Sequence, residues 1–367
     1  MGPLQGLRFV EMAGIGPGPF CGMLLADLGA EVLVVDREGA GQPFGADPRR
    51  DLTRRGKQSI ALDLKQPGAA EVVLRLVERA DGLIEGYRPG VMERLGLGPD
   101  DCLALNPRLI YGRMTGWGQD GPLAHAAGHD MNYIGVSGAL WYSSLPGQPP
   151  FASPTLVGDI GGGALYLVVG MLAGILNARS TGKGTVVDAA IVDGSAHMMN
   201  LMMSLAGSGM LSYERGGSLL DGPHWSRSYR TSDGGFMSVQ CLEPKFYGVF
   251  LELLGLSEDP QFKRQFDRAL WPQLCLRLEG IFAGRTQAEW TALFEGTDAC
   301  VASILDPSKA AEHPHMKARD IWYKADGLLQ AAPAPRFSGV RADVPPIPQR
   351  GQHSDEIRRE ALAQALA

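Results

Sequence analysis

The chain has 367 residues, 45% hydrophobic and 20% charged, with a formal net charge of −6. This balance is ordinary for a globular protein long enough for two domains, and its acidity argues against a general binder of nucleic acid or of an anionic membrane. Its five cysteines, Cys21, Cys102, Cys241, Cys275 and Cys300, form no CxxC pair, so neither a disulfide framework nor a zinc knuckle is predicted. A cytoplasmic protein with reduced thiols is expected, and the N-terminus carries no basic-then-apolar leader.

Leu7 to Met12 reads as a short buried strand. Ala13-Gly14-Ile15-Gly16-Pro17-Gly18 follows as a glycine-rich turn, Pro19 to Leu28 as a helix and Glu31 to Asp36 as a second strand. This is a βαβ unit of the nucleotide-binding kind. Gly14-x-Gly16 and the later Asp36 resemble a dinucleotide fingerprint, but Pro19 stands where its third glycine belongs. The match is partial and the glycines are explained by a tight turn, so a nicotinamide site is not predicted. The alternation continues with a helix from Ala69 to Ala80, strands at Gly82 to Glu85 and Leu109 to Thr115, a glycine-rich helix over 160–178 and a strand from Thr185 to Ala190. A parallel sheet with packed helices is therefore expected. The apolar run Ile160 to Leu176 is slightly short for a membrane span and reads as a buried helix.

The pattern then breaks. Met198 to Met210 is rich in Met and Leu, and 214–235 is rich in Gly, Ser and Asp. The predicted organisation is a large Rossmann-like domain over 1–197, a linker over 198–232, a small α/β domain over 233–310, a second linker over 311–330 and a return to the large domain over 331–367. The small domain opens with a strand from Phe236 to Leu242 and a helix from Lys245 to Leu254; Asp355 to Leu366 has helical periodicity.

Three acid–base residues each stand just ahead of a predicted helix: His129 in Gly128-His129-Asp130, Asp159 in Gly158-Asp159-Ile160, and Glu243 before Pro244. Helix starts carry unpaired N–H groups and a partial positive charge, suiting a base beside an anion site. Asp130 and Asp159 read equally well as N-caps. Gly161, Gly162 and Gly163 cost about 1 kcal/mol each in a helix relative to alanine, which makes sense where backbone must approach closely. His125 and His129 have the spacing of metal ligands on a helix, but Gly128 weakens a helix there and no third ligand completes a set, so no metal is predicted.

Several stretches together resemble one family. They are Gly6-Leu7-Arg8, Gly16-Pro17-Gly18-Pro19, Ala26-Asp27-Leu28-Gly29-Ala30-Glu31-Val32, Leu62-Asp63-Leu64-Lys65, Glu85-Gly86-Tyr87-Arg88-Pro89-Gly90, Tyr111-Gly112-Arg113-Met114-Thr115-Gly116-Trp117-Gly118, Gly128-His129-Asp130, Gly158-Asp159 and Glu243-Pro244. Together they resemble the class III CoA-transferase (CaiB/BaiF-type) family, and within it the bacterial α-methylacyl-CoA racemase type. The resemblance implies an α/β fold with a Rossmann-like large domain and a smaller domain, in an interlocked homodimer. It implies that His129 and Asp159 are the proton-transfer pair and that Glu243 supports the histidine from the other subunit. It places Arg37, Lys65, Gly86, Tyr87, Arg88, Arg94, Met114, Gly116, Asp130 and Tyr133 in segments that bind the substrate or its CoA. CoA is part of the substrate, so no separate cofactor is expected, nor a nucleic-acid or membrane partner. Thr155 departs from the asparagine expected there, which bears on local hydrogen bonding or substrate preference.

Such an enzyme interconverts the (R)- and (S)-epimers of 2-methylacyl-CoA thioesters through an enolate, with one base on each face. Each unit by which the α-carbon acid's pKa exceeds that of the base costs about 1.36 kcal/mol, so the enolate oxygen needs donors; backbone N–H groups over Asp159 to Gly163 are the expected ones. A helix start disfavours the His129 imidazolium while Glu243 favours it. One alternative is a CoA transferase with Asp159 as nucleophile. Another is a CoA-binding module without catalysis. The methionines of 198–210 read as core or dimer interface, or as an adaptable surface for acyl chains.

Overall fold

The computed structural model describes residues 2–39, 47–325, 327–339 and 343–363. They fall into two units. One takes in 1–140, 152–199 and 320–367, and the other 141–151 and 200–319.

The large unit is built on six parallel strands: β1 (Arg8–Met12), β2 (Glu31–Arg37), β3 (Gln58–Leu62), β4 (Gly82–Glu85), β5 (Ile110–Thr115) and β6 (Thr185–Ala190). Their order is β3-β2-β1-β4-β5-β6. Strand residues alternate between two cores. Phe9, Val32, Ile84 and Ile110 face one, and Val10, Leu33, Leu83 and Tyr111 the other. Both faces are covered, so the strands read as near-continuous apolar runs. The first core is closed by α1 (Pro17–Asp27) and α6 (Leu165–Thr181). The second is closed by α2 (Ala69–Val77), α3 (Val91–Arg94), α4 (Pro99–Leu105) and the C-terminal helix. Two further helices, α5 (Asp130–Val136) and α7 (Ile191–Met198), lie at the carboxyl side of β5 and β6 in sequence.

The strand order reverses between β1 and β4. In open α/β sheets the crevice beyond such a reversal, at the carboxyl ends of the strands, is where ligands bind. The Ala13–Gly16 turn leaves β1 there, and Gly86–Gly90 leaves β4. Tyr87 Oη donates to the Ala13 carbonyl at 3.3 Å, joining the two loops. Asp36 does not behave as a ribose-binding acid. Its carboxylate takes two hydrogen bonds from Arg54, at 2.7 and 2.9 Å, and one from Ser59 at 2.6 Å, and is 1% exposed. The partial dinucleotide fingerprint is thus a buried ion pair that fixes β2 against the segment before β3.

The small unit begins with α8 (Asn200–Ala206), none of whose residues is buried. Three antiparallel strands follow: β7 (Ser226–Arg230), β8 (Phe236–Gln240) and β9 (Val301–Ile304). The helices α9 (Pro244–Leu253), α10 (Trp271–Phe282) and α11 (Gln287–Phe294) supply an aromatic core with Phe250, Phe282, Trp290 and Phe294. Two short helices, α12 (Pro307–Glu312) and α13 (Pro314–Ala318), end the unit. The boundaries differ from the sequence reading: the small unit takes in 200–319 and not 233–310 alone, and the span 311–330, expected as a linker, holds α13 and most of a β-hairpin. The span 214–235, read as linker, contains β7, whose short polar SRSYR pattern hid it. Residues 141–151 also belong here, because Arg215 donates to the carbonyls of Ser143, Ser144, Leu145 and Gln148.

The chain then rejoins the large unit through the hairpin of β10 (Trp322–Ala325) and β11 (Leu328–Ala331) and through α14 (Ser354–Ala363). Arg55 anchors the hairpin by donating to the Ala331 carbonyl at 2.8 Å. Ile357 and Ala361 of α14 are buried in the second core. Residues 364–366, the end of the predicted C-terminal helix, lie outside the described residues.

Candidate active site

His129 is the N-cap of α5, with extended backbone (φ −137°, ψ 174°). Asn132 Oδ1 reaches back to accept the His129 N–H at 2.9 Å, while the imidazole makes no capping bond and is exposed. The cap is therefore His129, and Asp130 is the first helical residue. The peptide before His129 is held by Tyr133, whose Oη donates to the Gly128 carbonyl. The Tyr133 ring meets Trp117 edge-on, with centroids 4.8 Å apart. A Cβ on Gly116 would lie 2.0 Å from the Tyr133 ring, so only glycine leaves room for this arrangement.

Asp159 sits inside a π-helix, Leu156–Ala164, and not at a cap. Its wide turns are seen in the Ile160 N–H bonding to the Thr155 carbonyl, at 3.0 Å, and the Leu165 N–H bonding to that of Ile160. π-Helical turns are rare and are often found at functional sites. The turn is secured from two sides. Asp130, 7% exposed, accepts the Asp159 N–H at 2.9 Å and the Thr155 N–H at 3.3 Å. On the other side α7 packs flush, since a Cβ on Gly162 would lie 2.4 Å from Ser195 Oγ and 3.0 Å from the Ile191 carbonyl. The glycines here serve close packing, as their cost in a helix implied. Thr155, the residue ahead of this helix, is held at φ 63°.

These elements bring His129 and Asp159 together. Asp130, next to His129, bonds the backbone of Asp159 directly. Burial and the Asp130 charge push the Asp159 carboxyl up to about 6, and His129 pulls the other way. The turn after β1 also reaches this point: a Cβ on Gly16, at φ 72°, would lie 3.6 Å from Asp159 Oδ2. The N–H groups of Asp159 and Ile160 are already bonded, and those of 161–163 lie within the π-helix. The enolate donors expected there are thus engaged elsewhere. Asp130 and Met131, at the start of α5, have N–H groups with no acceptor among the described residues.

The other expected residues divide by position. Arg37, Lys65, Gly86, Arg88 and Arg94 are exposed, and Tyr87 is half-buried in the loop after β4. Met114 turns its side chain into the first core and is 3% exposed; only its backbone borders Gly86. The Asp130 side chain likewise faces inward. Glu243 caps α9 with its backbone alone; its exposed carboxylate makes no hydrogen bond or ion pair among the described residues. Among the described residues no three His, Cys, Asp or Glu side chains are grouped to hold a metal ion. Leu156–Thr181 is long and apolar enough to cross a membrane, by length and composition only. Sequence reading missed the part played by Arg113, which bridges Glu85 and Glu93 at 3.0 and 2.9 Å. The signal was available, because Arg113 is a charge inside an otherwise apolar parallel strand.

The sheet order, with its reversal between β1 and β4, defines an α/β protein of the doubly wound, parallel-sheet class. The sequence profile of CoA-transferase family III matches residues 4–354, and the chain belongs to that family, whose members act on acyl-CoA substrates. The chain is 40% identical to alpha-methylacyl-CoA racemase of Mus musculus, covering 97% of this chain and 93% of that one. It is 29% identical to acetyl-CoA:oxalate CoA-transferase of Acetobacter aceti, over 99% and 96% of the two chains. The crystal structure of a CaiB/BaiF family protein from Brucella suis superposes with a TM-score of 0.81, at 28% identity over 98% of this chain and 99% of that one.

Proposed function

We propose that this protein is an α-methylacyl-CoA racemase, interconverting the epimers of 2-methylacyl-CoA thioesters by proton transfer between His129 and Asp159. The observation that carries this reading is the pairing of a histidine with an aspartic acid whose carboxyl is pushed up to about 6. Such a carboxyl can give or take a proton near neutral pH. A transferase uses Asp159 as an ionised nucleophile and has no need of a second proton-transfer base such as His129. The similarity to the mouse racemase supports the same choice.

Neutral His129 removes the α-proton of the (S)-epimer, and protonated Asp159 returns one to the opposite face; the roles exchange for the (R)-epimer. The developing enolate oxygen is met by the free N–H groups of Asp130 and Met131, held in place before charge develops. Arg37, Lys65, Arg88 and Arg94 receive the CoA phosphates, which accounts for exposed cations on an acidic chain. CoA arrives with the substrate, and the chemistry needs no further cofactor.

In this reading Glu243 supports His129 from the partner subunit of an interlocked homodimer. Two features support that arrangement. Glu243 has no partner among the described residues of its own chain, and Val169, Leu176 and Leu201 stand 67%, 69% and 77% exposed, as apolar residues covered by a second copy would in an isolated chain.

The test is an assay of purified protein with (S)-2-methylacyl-CoA, with and without a carboxylic acid acceptor. Formation of the (R)-epimer without acceptor supports the racemase. CoA transfer that needs the acceptor, without epimerisation, assigns the transferase and makes Asp159 a nucleophile.

A further inference from the structure

The loop between β4 and α3 carries the exposed Arg88 and leads into Arg94; Met92 of α3 is buried in the second core and Tyr87 packs against it. α3 spans only Val91–Arg94, far too short to be stable alone. Both ends of the loop carry a carboxylate: Glu85 is the last residue of β4, and Glu93 lies in α3. One guanidinium meets both. Arg113 stands opposite Glu85 in the neighbouring strand, and its Nε donates to Glu85 Oε1 at 3.0 Å while its NH1 donates to Glu93 Oε1 at 2.9 Å. The second Glu85 oxygen accepts the Tyr87 N–H at 2.7 Å, which fixes the first step of the loop. Tyr87 in turn reaches across to the Ala13 carbonyl.

Arg113 is 7% exposed and Glu85 is 1% exposed, so neither is available to a ligand. We propose that Arg113, through Glu85 and Glu93, is a positioning residue for coenzyme A recognition: it closes the β4–α3 loop into the one shape that presents Arg88 and Arg94 to the phosphates. This rests on the acyl-CoA reading above. Arginine is suited to the task because its fork holds two carboxylates at once, where a lysine offers a point charge.

The two carboxylates differ in what their loss would do. Burial raises the Glu85 carboxyl to about 7 even beside Arg113, so removing the guanidinium altogether would leave a buried carboxyl that takes up a proton and loses its side-chain hydrogen-bond donor, which endangers the fold. The Glu93 side chain is 44% exposed, and its loss is tolerable.

The informative variants are therefore Glu93→Gln and Arg113→Lys, with free coenzyme A as the calorimetric probe and 2-methylacyl-CoA as the kinetic one. In both variants the Kd for coenzyme A and the KM are expected to rise about five- to tenfold, with kcat within about twofold, because displaced groups weaken binding while the proton-transfer pair is untouched. Glu93→Gln should add little to Arg113→Lys, since Glu93 acts through Arg113. Wild-type affinity for coenzyme A in both variants overturns the proposal. So does a fall in kcat that tracks lost thermal stability with Kd unchanged, which would mark a structural role only. A wild-type protein that does not bind coenzyme A overturns the acyl-CoA reading itself, and the proposal with it.

Discussion

The buried carboxylate of Asp130 accepts the backbone N–H of Asp159 at 2.9 Å. One acid thus orients the segment that carries another and, by its charge, helps to hold that acid's proton. Asp130→Asn keeps an acceptor for the N–H but removes the charge. Loss of a nearby negative charge favours ionisation, so the Asp159 carboxyl should fall from about 6 toward its ordinary value of 3.8. With the (R)-epimer as substrate, for which Asp159 is the base, the acid limb of the kcat/KM profile should move to lower pH, and a carboxyl-carbon NMR titration should show the same shift. An unmoved limb would mean that Asp130 serves as an acceptor alone.

Asp159 carries a stability cost with a defined pH window. Its carboxyl is raised from 3.8 to about 6, so between these values the folded state binds more protons than the unfolded state. Stability then declines as pH rises through the window. Asp159→Asn should therefore raise Tm at neutral pH, with the gain vanishing below the unfolded value. The ceiling is about 3 kcal/mol at 1.36 kcal/mol per unit, and about 1 kcal/mol is expected because the carboxylate is partly solvated. Thermal melts across pH check the sign: a gain that is the same at every pH contradicts it.

Thr155 holds φ 63° with a β-branched side chain. The left-handed region strains such residues and suits asparagine and glycine. Thr155→Asn keeps both backbone bonds, the N–H to Asp130 and the carbonyl to Ile160, and should stabilise the protein by about 1 kcal/mol. Calorimetry reads this directly, and a lower Tm would place the hydroxyl or methyl in a contact that matters more than the strain.

The glycines separate into two kinds. A Cβ on Gly162 would lie 2.4 Å from Ser195 Oγ and 2.8 Å from Ser195 N, whereas one on Gly18 meets nothing within 4 Å. Gly162→Ala should cost about 3 kcal/mol or more by forcing α7 away from the π-helix, and should lower kcat by displacing Asp159. Gly18→Ala should be near neutral in both denaturant unfolding and activity. Equal effects of the two would show that this packing does not control the site.

Much of the sheet is legible in the sequence: the fully buried Gly82–Glu85 and the edge strand Thr185–Ala190, whose β-branched Thr185, Val186 and Val187 mark it, have the ends the sequence predicts. Gln58–Leu62 was not read as a strand, since this edge strand mixes Gln and Ser with its apolar residues. The glycine run at 161–163 pointed to close packing, but no residue pattern distinguishes a π-turn from an α-turn. Asp130 and Asp159 both looked like N-caps because cap preference is local. The observed caps, His129 and Thr155, are set by a contact between segments 29 residues apart in the chain. The partners of Asp36 and of Arg113 are not legible for the same reason, although a lone arginine inside an apolar strand already marks Arg113.

The two-base account is tested most directly by α-proton exchange in D₂O, starting separately from the (S)- and (R)-epimers of a 2-methylacyl-CoA, with wild type, His129→Ala and Asp159→Ala. The account predicts that wild type places deuterium at the α-carbon and interconverts the epimers. It predicts that His129→Ala no longer exchanges the (S)-epimer and that Asp159→Ala no longer exchanges the (R)-epimer, with neither variant racemising. Near-normal racemisation by either variant would contradict it.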